Sequence, residues 1–518
     1  MNLREVIAAI KPEAVTRPDA ATVPIRSVHY RAQDVVPGGL FVAIRGFTAD
    51  GHDFVDRAVA NGAVAVVVQK PTPGVVPVLR VPDTRKALAQ IAAAFYAHPS
   101  KAIALVGITG TNGKTTVAYI LESIFAAAGM SAGIIGTVNH RCGGRVWPSA
   151  HTTPESVDLQ RLLAEMRTSG ATHAIMEVAS HGIELQRVVG CAFDVGVFTN
   201  LTQDHLDFHG DMTRYWQTKK RLFTELLPMG GKSPRAVING DNPHGRELAR
   251  EITDRMPTLT FGFDPSNAIW PRVAQNNLSG SRGTIHTPAG DLAFASPMVG
   301  RHNIENLLAA AGAALTLDLP QAAIEAGLSA ANGAPGRLER VPDDHGRFVY
   351  VDYAHTPDAL ENVLNALQEI KTRRLICIFG CGGDRDRSKR PLMGAIAARL
   401  SDLAVVTSDN PRTENPGRII DDILPGITPV MCRAYRPAEL QNGWKEPGYV
   451  VLSDRREAIG LAIGLAQAGD TVLIAGKGHE NYQIIGHETV PFDDGEIAAL
   501  QLATMPAAIV DPMAGDAE

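Results

Sequence analysis

The chain has 518 residues, long enough for about three domains with substantial cores. Its hydrophobic fraction of 45% and charged fraction of 20% are those of a globular protein, and a formal net charge of −6 argues against a general nucleic-acid binder. No run approaches the roughly 18 apolar residues of a membrane span, and the opening Met1-Asn2-Leu3-Arg4-Glu5 lacks the basic-then-apolar layout of a secretion signal.

Residues 1–98 read as a small α/β domain. Gly39–Ile44 predicts a strand, Thr48–His52 a turn, Phe54–Ala60 a helix, Ala63–Val68 a strand and Thr84–Ala97 an alanine-rich helix. Nothing in this segment declares a chemistry by itself.

The region from 99 to 334 opens on its most informative stretch. An apolar run, Ala102–Val106, predicts a buried parallel strand, and Val117, Ile120, Leu121, Ile124 and Phe125 recur at helical spacing until Gly129. Between them stands Gly107-Ile108-Thr109-Gly110-Thr111-Asn112-Gly113-Lys114-Thr115-Thr116. Strand, glycine turn, Lys-Thr and helix together make a phosphate cradle. Glycines let backbone N–H groups approach phosphates, Lys114 supplies a positive charge, and the Thr115 hydroxyl suits Mg²⁺. Five residues rather than the usual four separate Gly107 from Gly113, but the complete strand–turn–helix context points to a nucleoside triphosphate.

Further strands are predicted at Ala132–Gly136, Ala174–Val178 and Asp194–Thr199, with helices at Glu155–Met166 and Asp211–Leu227. This alternation implies a parallel sheet that binds ligands beyond the carboxyl ends of its strands. His151-Thr152-Thr153-Pro154, Glu177–His181 and Thr199–Asp207 occupy such places, and Glu177 there suits a Mg²⁺ ligand or a group orienting its water. Residues 260–298 turn β-like and glycine-rich, an excursion from the sheet. An alanine-rich helix follows Gly300. Asn303 and Asn306 share one face of it and suit the edge of a base, helix capping by Asn303 being the rival reading.

From 335 onward, strands at Arg347–Asp352, Arg374–Phe379, Asp402–Thr407, Tyr449–Leu452 and Thr471–Ala475 are each followed by a polar loop. In a doubly wound sheet all five loops emerge on one ligand-binding rim. Cys377 and Cys381 have no second pair or His cluster; with Cys142, Cys191 and Cys432 they predict reduced thiols in a cytoplasmic protein, not zinc. The tail after about Met505 is small and acidic, predicting fraying.

The motifs Gly107–Thr116, His151–Pro154, Asn200–Gly210, Pro335-Gly336-Arg337, Asp352-Tyr353-Ala354-His355 and Gly476-Lys477-Gly478-His479-Glu480, in this order, resemble those of the Mur ligases, and most of all the tripeptide-forming members. The resemblance spans nearly the whole chain. It implies an α/β protein of three domains: a small N-terminal domain for the UDP end of the substrate (1–98), a central P-loop-type ATPase domain with a parallel sheet (99–334), and a C-terminal Rossmann-like domain receiving the amino acid (335–518).

The implied reaction is ATP-dependent amide formation on UDP-MurNAc-L-Ala-D-Glu through an acyl phosphate, in cytoplasmic peptidoglycan precursor synthesis, by a monomer without nucleic-acid or membrane partners. Two anions meet in its first step, so positive charge is needed there; Lys114, and Mg²⁺ on Thr115 and Glu177, would supply it. By resemblance, a second Mg²⁺ lies near His205 and a carbamylated lysine matching Lys219, and Asn303, Arg337 and Asp352 match ATP-associated positions. Gly110, Thr111, Asn112, Gly113 and Thr116 complete the implied ATP site, and Thr152, Thr153, Ser180 and Arg187 the UDP-MurNAc-dipeptide site.

The amino acid added is read from Asp409-Asn410-Pro411-Arg412, which resembles the members that add meso-diaminopimelate. That substrate differs from lysine by a distal carboxylate, which a guanidinium binds in bidentate fashion. Arg412 and Arg385 would grip carboxylates, and Gly476 and Glu480 the distal ammonium. Two departures concern the nucleotide end: His29-Tyr30-Arg31 stands where Asp-Ser-Arg is usual, and Ala179-Ser180-His181 where Ser-Ser-His is usual. The alternatives are a lysine-adding or folylpolyglutamate-type ligase, opposed by Arg412 and by the separate N-terminal domain respectively. A non-catalytic nucleotide-binding relative is opposed by the retention of Lys114, Glu177, His205 and Lys219.

Overall fold

Apolar runs separated by helical repeats pair readily in parallel, because each crossover helix returns the chain to the same edge of the sheet. The computed structural model describes residues 1–440 and 443–504, so the expectation for the tail lies outside the described residues. The chain divides into two compact units. One comprises Met1–Trp270, His286–Leu292 and Asn306–Gly327; the other comprises Pro271–Ile285, Ala293–Glu305 and the chain from Leu328 onward.

The first unit holds two sheets. Its N-terminal sheet has five strands in the order Ala14–Val15, Val78–Arg80, Ala63–Val68, Gly39–Val42, Ser27–His29, all parallel except the first. The helix Leu3–Ile10, absent from the sequence reading, is closed by a capping box between Asn2 and Glu5 and buries Leu3 and Val6. The eight-stranded central sheet runs Thr258–Phe261, Arg235–Asn239, Val195–Phe198, Ala104–Thr109, His173–Glu177, Ala132–Ile135, then the hairpin His140–Cys142 and Arg145–Trp147. Every strand before the hairpin is parallel to its neighbours.

The strand expected at Ala102–Val106 instead runs from Ala104 to Thr109. Gly107 does not stop it, because Met176 and Gly196 pair with Gly107 on either side and the ring of Phe193 fills the space a side chain would take. The register places Thr109 beside Phe198 and Ile108 beside Glu177, so three loops leave the sheet at one level. Beyond them, the helix Met212–Arg221 widens into a π-helical turn, Leu222–Leu226, before ending at Met229. The segment read as an excursion forms a three-stranded sheet of its own, Trp270–Asn277, Gly280–His286 and Leu292–Ser296.

The second unit is built on a seven-stranded sheet in the order Glu339–Val341, Phe348–Asp352, Thr471–Ala475, Leu375–Phe379, Leu403–Val406, Gly448–Val451, Ala434–Tyr435. Only its first strand is antiparallel, so the loops after all five strands expected from the sequence do leave on one rim. Beneath that rim Arg455 is fully buried; it pairs with buried Asp494 at 2.7 Å and donates to the carbonyls of Ser408 and Ala475. All five cysteines are free, four of them buried.

The helices Lys389–Leu400 and Pro416–Ile427 cross at Gly394 and Gly426, where a β-carbon would meet the Ile423 and Pro391 carbonyl oxygens respectively. Gly426→Ala should therefore cost about 1–3 kcal/mol by forcing the helices apart. The measurement is urea unfolding, where the midpoint should fall with an unchanged slope.

Candidate active site

The phosphate loop is pinned from one side by the strand end at Thr199. Thr111 N–H donates to the Asn200 carbonyl (2.9 Å), Asn112 N–H to Asn200 Oδ1 (2.9 Å), and Thr199 Oγ1 to the Asn112 carbonyl (2.6 Å). Gly110 has φ +148° and a β-carbon there would strike the Thr199 hydroxyl, so this close seam requires glycine. Gly113, at φ +87°, starts the helix Lys114–Ala127 with the Asn306 carboxamide oxygen against it. Thr116, buried, lies in the first turn of that helix.

Two lysines converge on this loop. Lys114 Nζ donates to the carbonyls of Gly110 (2.9 Å) and Thr111 (2.7 Å), and Lys219 Nζ donates to the same Gly110 oxygen at 2.8 Å. Lys219 is 1% exposed, with its Nζ 4.5 Å from the centre of the Tyr215 ring. Burial first, then the charge of Lys114, holds its pKa well below that of a free lysine, with Asp204 opposing. The charged form of this side chain is therefore disfavoured. His205 lies on the same side, its ring 6.1 Å from Tyr215 and 4.8 Å from His181. Its backbone is left-handed at φ +53°, and burial lowers its pKa.

Glu177 is 1% exposed at the end of its strand. It accepts from the Thr115 hydroxyl (2.9 Å), the Thr137 hydroxyl (3.0 Å) and the Thr137 N–H (2.8 Å). The Thr115 and Glu177 oxygens thus form a hard-oxygen pair at the mouth of a phosphate loop, a donor set that fits Mg²⁺. Among the described residues no group of three or more His, Cys, Asp or Glu side chains is placed to hold a metal. Beside His205 the nearest acidic group is Asp204, whose Oδ2 lies 3.5 Å from Nε2.

The residues read as dipeptide contacts have mixed roles. The Thr152 hydroxyl is 3.0 Å from that of Thr137. Thr153 is buried, with its hydroxyl spent between the Glu177 carbonyl and the Ala179 N–H, and Ser180 is 2.9 Å from His209 Nε2. Arg187 donates to the Thr153 carbonyl and lies 3.5 Å from Glu155, which also holds Arg85 at 3.2 Å. Arg187 faces a cleft of about 930 Å³ between the two sheets of the first unit, lined also by Arg31, Phe47, Trp147 and His151. Tyr30, at one of the two departures, lines it too and donates to Asp158 at 3.0 Å.

In the second unit, Asp352 accepts from the N–H groups of Leu338 (2.6 Å) and Ala354 (2.8 Å), so it orders its neighbours. Arg337 lies over the Tyr353 ring at 4.9 Å, and its Nε has no hydrogen-bond partner among the described residues. Asn303 is buried, and its amide donates to the Val299 carbonyl at 2.9 Å.

On the rim, Asn410 donates to Glu480 (2.8 Å) and accepts from the Ile484 N–H (2.9 Å), and buried Lys477 lies 3.3 Å from Glu480. Asp409 is buried beside Gly476. Its Oδ1 lacks a hydrogen-bond partner among the described residues, and burial raises its pKa. Pro411 is buried; Arg412 donates to the Gly383 carbonyl (2.9 Å) and Arg385 to the Asp384 carbonyl (3.1 Å). The buried Asp409 carboxyl and the guanidinium groups of Arg385 and Arg412 thus share one rim.

Sequence reasoning missed Thr137, Asn200 as the clamp on the loop, and Tyr215. Thr137 follows a predicted strand, Asn200 lies in a polar cluster at a strand end, and Tyr215 precedes Lys219 by one helical turn; those positions were the available signals.

Family models match the chain at residues 24–96 (Mur ligase family, catalytic domain), 108–314 (Mur ligase middle domain) and 336–478 (Mur ligase, glutamate ligase domain). The chain is 48% identical over 503 residues to the UDP-N-acetylmuramoyl-L-alanyl-D-glutamate–2,6-diaminopimelate ligase of Geobacter metallireducens, covering 96% of this chain and 98% of that protein. It is 47% identical to the ligase of the same name from Gloeobacter violaceus, covering 96% and 97% respectively. A solved structure of a UDP-N-acetylmuramoyl-L-alanyl-D-glutamate–2,6-diaminopimelate ligase superposes with a TM-score of 0.70 at 32% identity, over 97% of this chain and 99% of that one. With a phosphate loop clamped at Asn200 and similarity along nearly its whole length, the chain belongs to the Mur ligase family.

Proposed function

We propose that this protein is an ATP-dependent, ADP-forming ligase that adds meso-diaminopimelate to UDP-N-acetylmuramoyl-L-alanyl-D-glutamate in cytoplasmic peptidoglycan precursor synthesis. The observation that carries the reading is the convergence of Lys114 and Lys219 on the Gly110 carbonyl, next to the Thr115–Glu177 pair. Such an arrangement is suited to a polyanion and to little else. The functional domains are residues 1–98 for the UDP end, 99–334 for ATP and 335–518 for the amino acid, acting within a monomer. No described helix is long and apolar enough to cross a membrane.

In the reaction, the D-glutamate γ-carboxylate attacks the γ-phosphorus of ATP, and the bond to the ADP oxygen breaks. The amine of diaminopimelate then attacks the acyl carbon and releases phosphate. Gly110 and Gly113 offer backbone N–H groups to the ATP phosphates, while Thr111 and Asn112, whose N–H groups are held by Asn200, set the shape of the loop. Lys114 exchanges its carbonyl partners for phosphate oxygens, lowering the repulsion between the two anions. Thr115 and Glu177 would hold one Mg²⁺, and His205 with carbamylated Lys219 a second. When bound, these ions would neutralise phosphate charge.

A neutral Lys219 amine can add to CO₂, losing a proton and becoming an anion with two oxygen donors. That change sets an anion beside the Lys114 ammonium. Asn303, Arg337 and Asp352 belong to the ATP site, Arg337 supplying positive charge and Asp352 holding the loop that carries it. Thr152, Thr153, Ser180 and Arg187 serve the dipeptide substrate, Thr153 by shaping the strand end and Arg187 by facing the cleft. At the rim, Arg385 and Arg412 bind the carboxylates of diaminopimelate, while Asp409, Asn410, Gly476 and Glu480 receive its distal ammonium, with Pro411 fixing the turn.

Phosphate release with ATP, Mg²⁺ and UDP-MurNAc-L-Ala-D-Glu should depend on meso-diaminopimelate and not occur with L-lysine or without an amino acid. The product should carry the added mass. Preference for lysine would overturn the role given to Arg412. Lys219→Met should lower ligation by about 10²-fold or more without lowering the melting temperature, since it removes a buried amine whose charged form is disfavoured. Full activity in that variant would refute the carbamate.

A further inference from the structure

The two guanidinium groups of the rim rest on consecutive peptide carbonyls. Arg412 Nη1 donates to Gly383 O at 2.9 Å and Arg385 Nη1 to Asp384 O at 3.1 Å. Their spacing is therefore set by the backbone of residues 382–385, not by the arginine side chains alone. That backbone is unusual. Asp384 has φ +54° and Arg412 has φ +50°, left-handed conformations that are unfavourable for a non-glycine residue and persist only where surrounding contacts over-determine them.

Those contacts come from two acidic side chains. Asp384 accepts from the Thr413 hydroxyl at 2.8 and 3.0 Å, and from the Thr413 N–H at 3.2 Å. Glu414 accepts from the Asp384 N–H at 2.6 Å and from Arg387 at 2.7 Å. Its other support is Arg390, fully buried, which donates to both Glu414 oxygens (2.8 and 3.1 Å), to Asp422 (2.8 Å) and to the Gly382 carbonyl (3.2 Å). The Gly383 N–H closes the seam on the Asn410 carbonyl at 2.9 Å. The loop after Phe379 and the loop after Val406 are thus sewn together by Asp384 and Glu414, with Arg390 as the fixed post.

We infer that Asp384 and Glu414 are positioning residues that hold Arg385 and Arg412 at the separation needed for an amino acid bearing two carboxylates. This rests on the reading of the rim as the diaminopimelate receptor. If the tethers are cut, the peptides carrying the Gly383 and Asp384 carbonyls relax toward negative φ and the two guanidinium groups lose their common frame. Affinity for a second carboxylate falls, while the phosphate loop of the first unit is untouched.

The test is a steady-state comparison of Asp384→Ala, Asp384→Asn and Glu414→Gln with the unsubstituted protein, each of the three substrates varied in turn. Asp384 is exposed, so its variants should fold; circular dichroism and melting check this for all three. Asp384→Ala and Glu414→Gln should raise KM for meso-diaminopimelate at least ~10-fold. KM for ATP, KM for the nucleotide substrate and kcat at saturating diaminopimelate should change by less than about 3-fold. Asp384→Asn keeps an acceptor for Thr413 and tolerates left-handed backbone, so it should stay within about 3-fold of the parent. An unchanged KM for diaminopimelate in a folded Asp384→Ala would overturn the inference, as would a parallel rise for ATP. If the unsubstituted protein does not use diaminopimelate, the ligase reading falls first and this inference with it; if it does and the variants behave alike, the inference alone falls.

Discussion

Two lysine side chains sharing one carbonyl oxygen is an arrangement that a folded protein does not make without cause. Lys114 and Lys219 both reach Gly110, and burial, with the charge of Lys114 added, holds the Lys219 pKa well below that of a free lysine. Much of the first unit serves this meeting. Gly110 is glycine because Thr199 presses on it, Thr199 and Asn200 lock the loop to the neighbouring strand, and Tyr215 covers the Lys219 amine.

The second unit reaches a comparable end by different means. Parallel strands again deliver polar loops to one rim, but its key turns rest on left-handed residues with side chains rather than on glycine alone. Such turns need tethers. Beneath them the Arg455–Asp494 pair ties the strand ends at Ser408 and Ala475, leaving Asp409 Oδ1 without a partner among the described residues. A buried acceptor left open is rare in a folded protein.

Much of this was legible from residue order. The strands Ala63–Val68 and Thr471–Ala475 are apolar runs cut off by turn residues, and both fold as read. The strand before the phosphate loop was read too early, because Gly107 looks like an ending when only its local chain is considered. In the sheet its neighbours pair straight through it. The helix Leu3–Ile10 went unseen because its signal lies in the capping box more than in a long apolar stripe. Glu177 and Thr115 were legible as a pair because Glu177 ends a strand of the same sheet whose phosphate loop leads into the helix carrying Thr115. The burial of Lys219 was not, since a lysine on an amphipathic helix is ordinarily solvated and only resemblance singled it out. Nor could spacing show that Thr153 spends its hydroxyl internally or that Glu414 binds a buried arginine, for these depend on contacts distant in sequence.

The π-helical turn at Leu222–Leu226 separates two phases of one helix. Before it, Lys219 is aimed at Gly110; within and after it, Phe223 and Leu227 pack on the bare backbone of Gly196 in the central sheet. An α-helix advances about 100° per residue, so a turn that absorbs one extra residue lets each half keep its own azimuth. The chemistry-bearing half and the packing half can thus drift independently in evolution, and a single-residue deletion here would couple them again, rotating the amine away from the loop or the leucine away from the sheet.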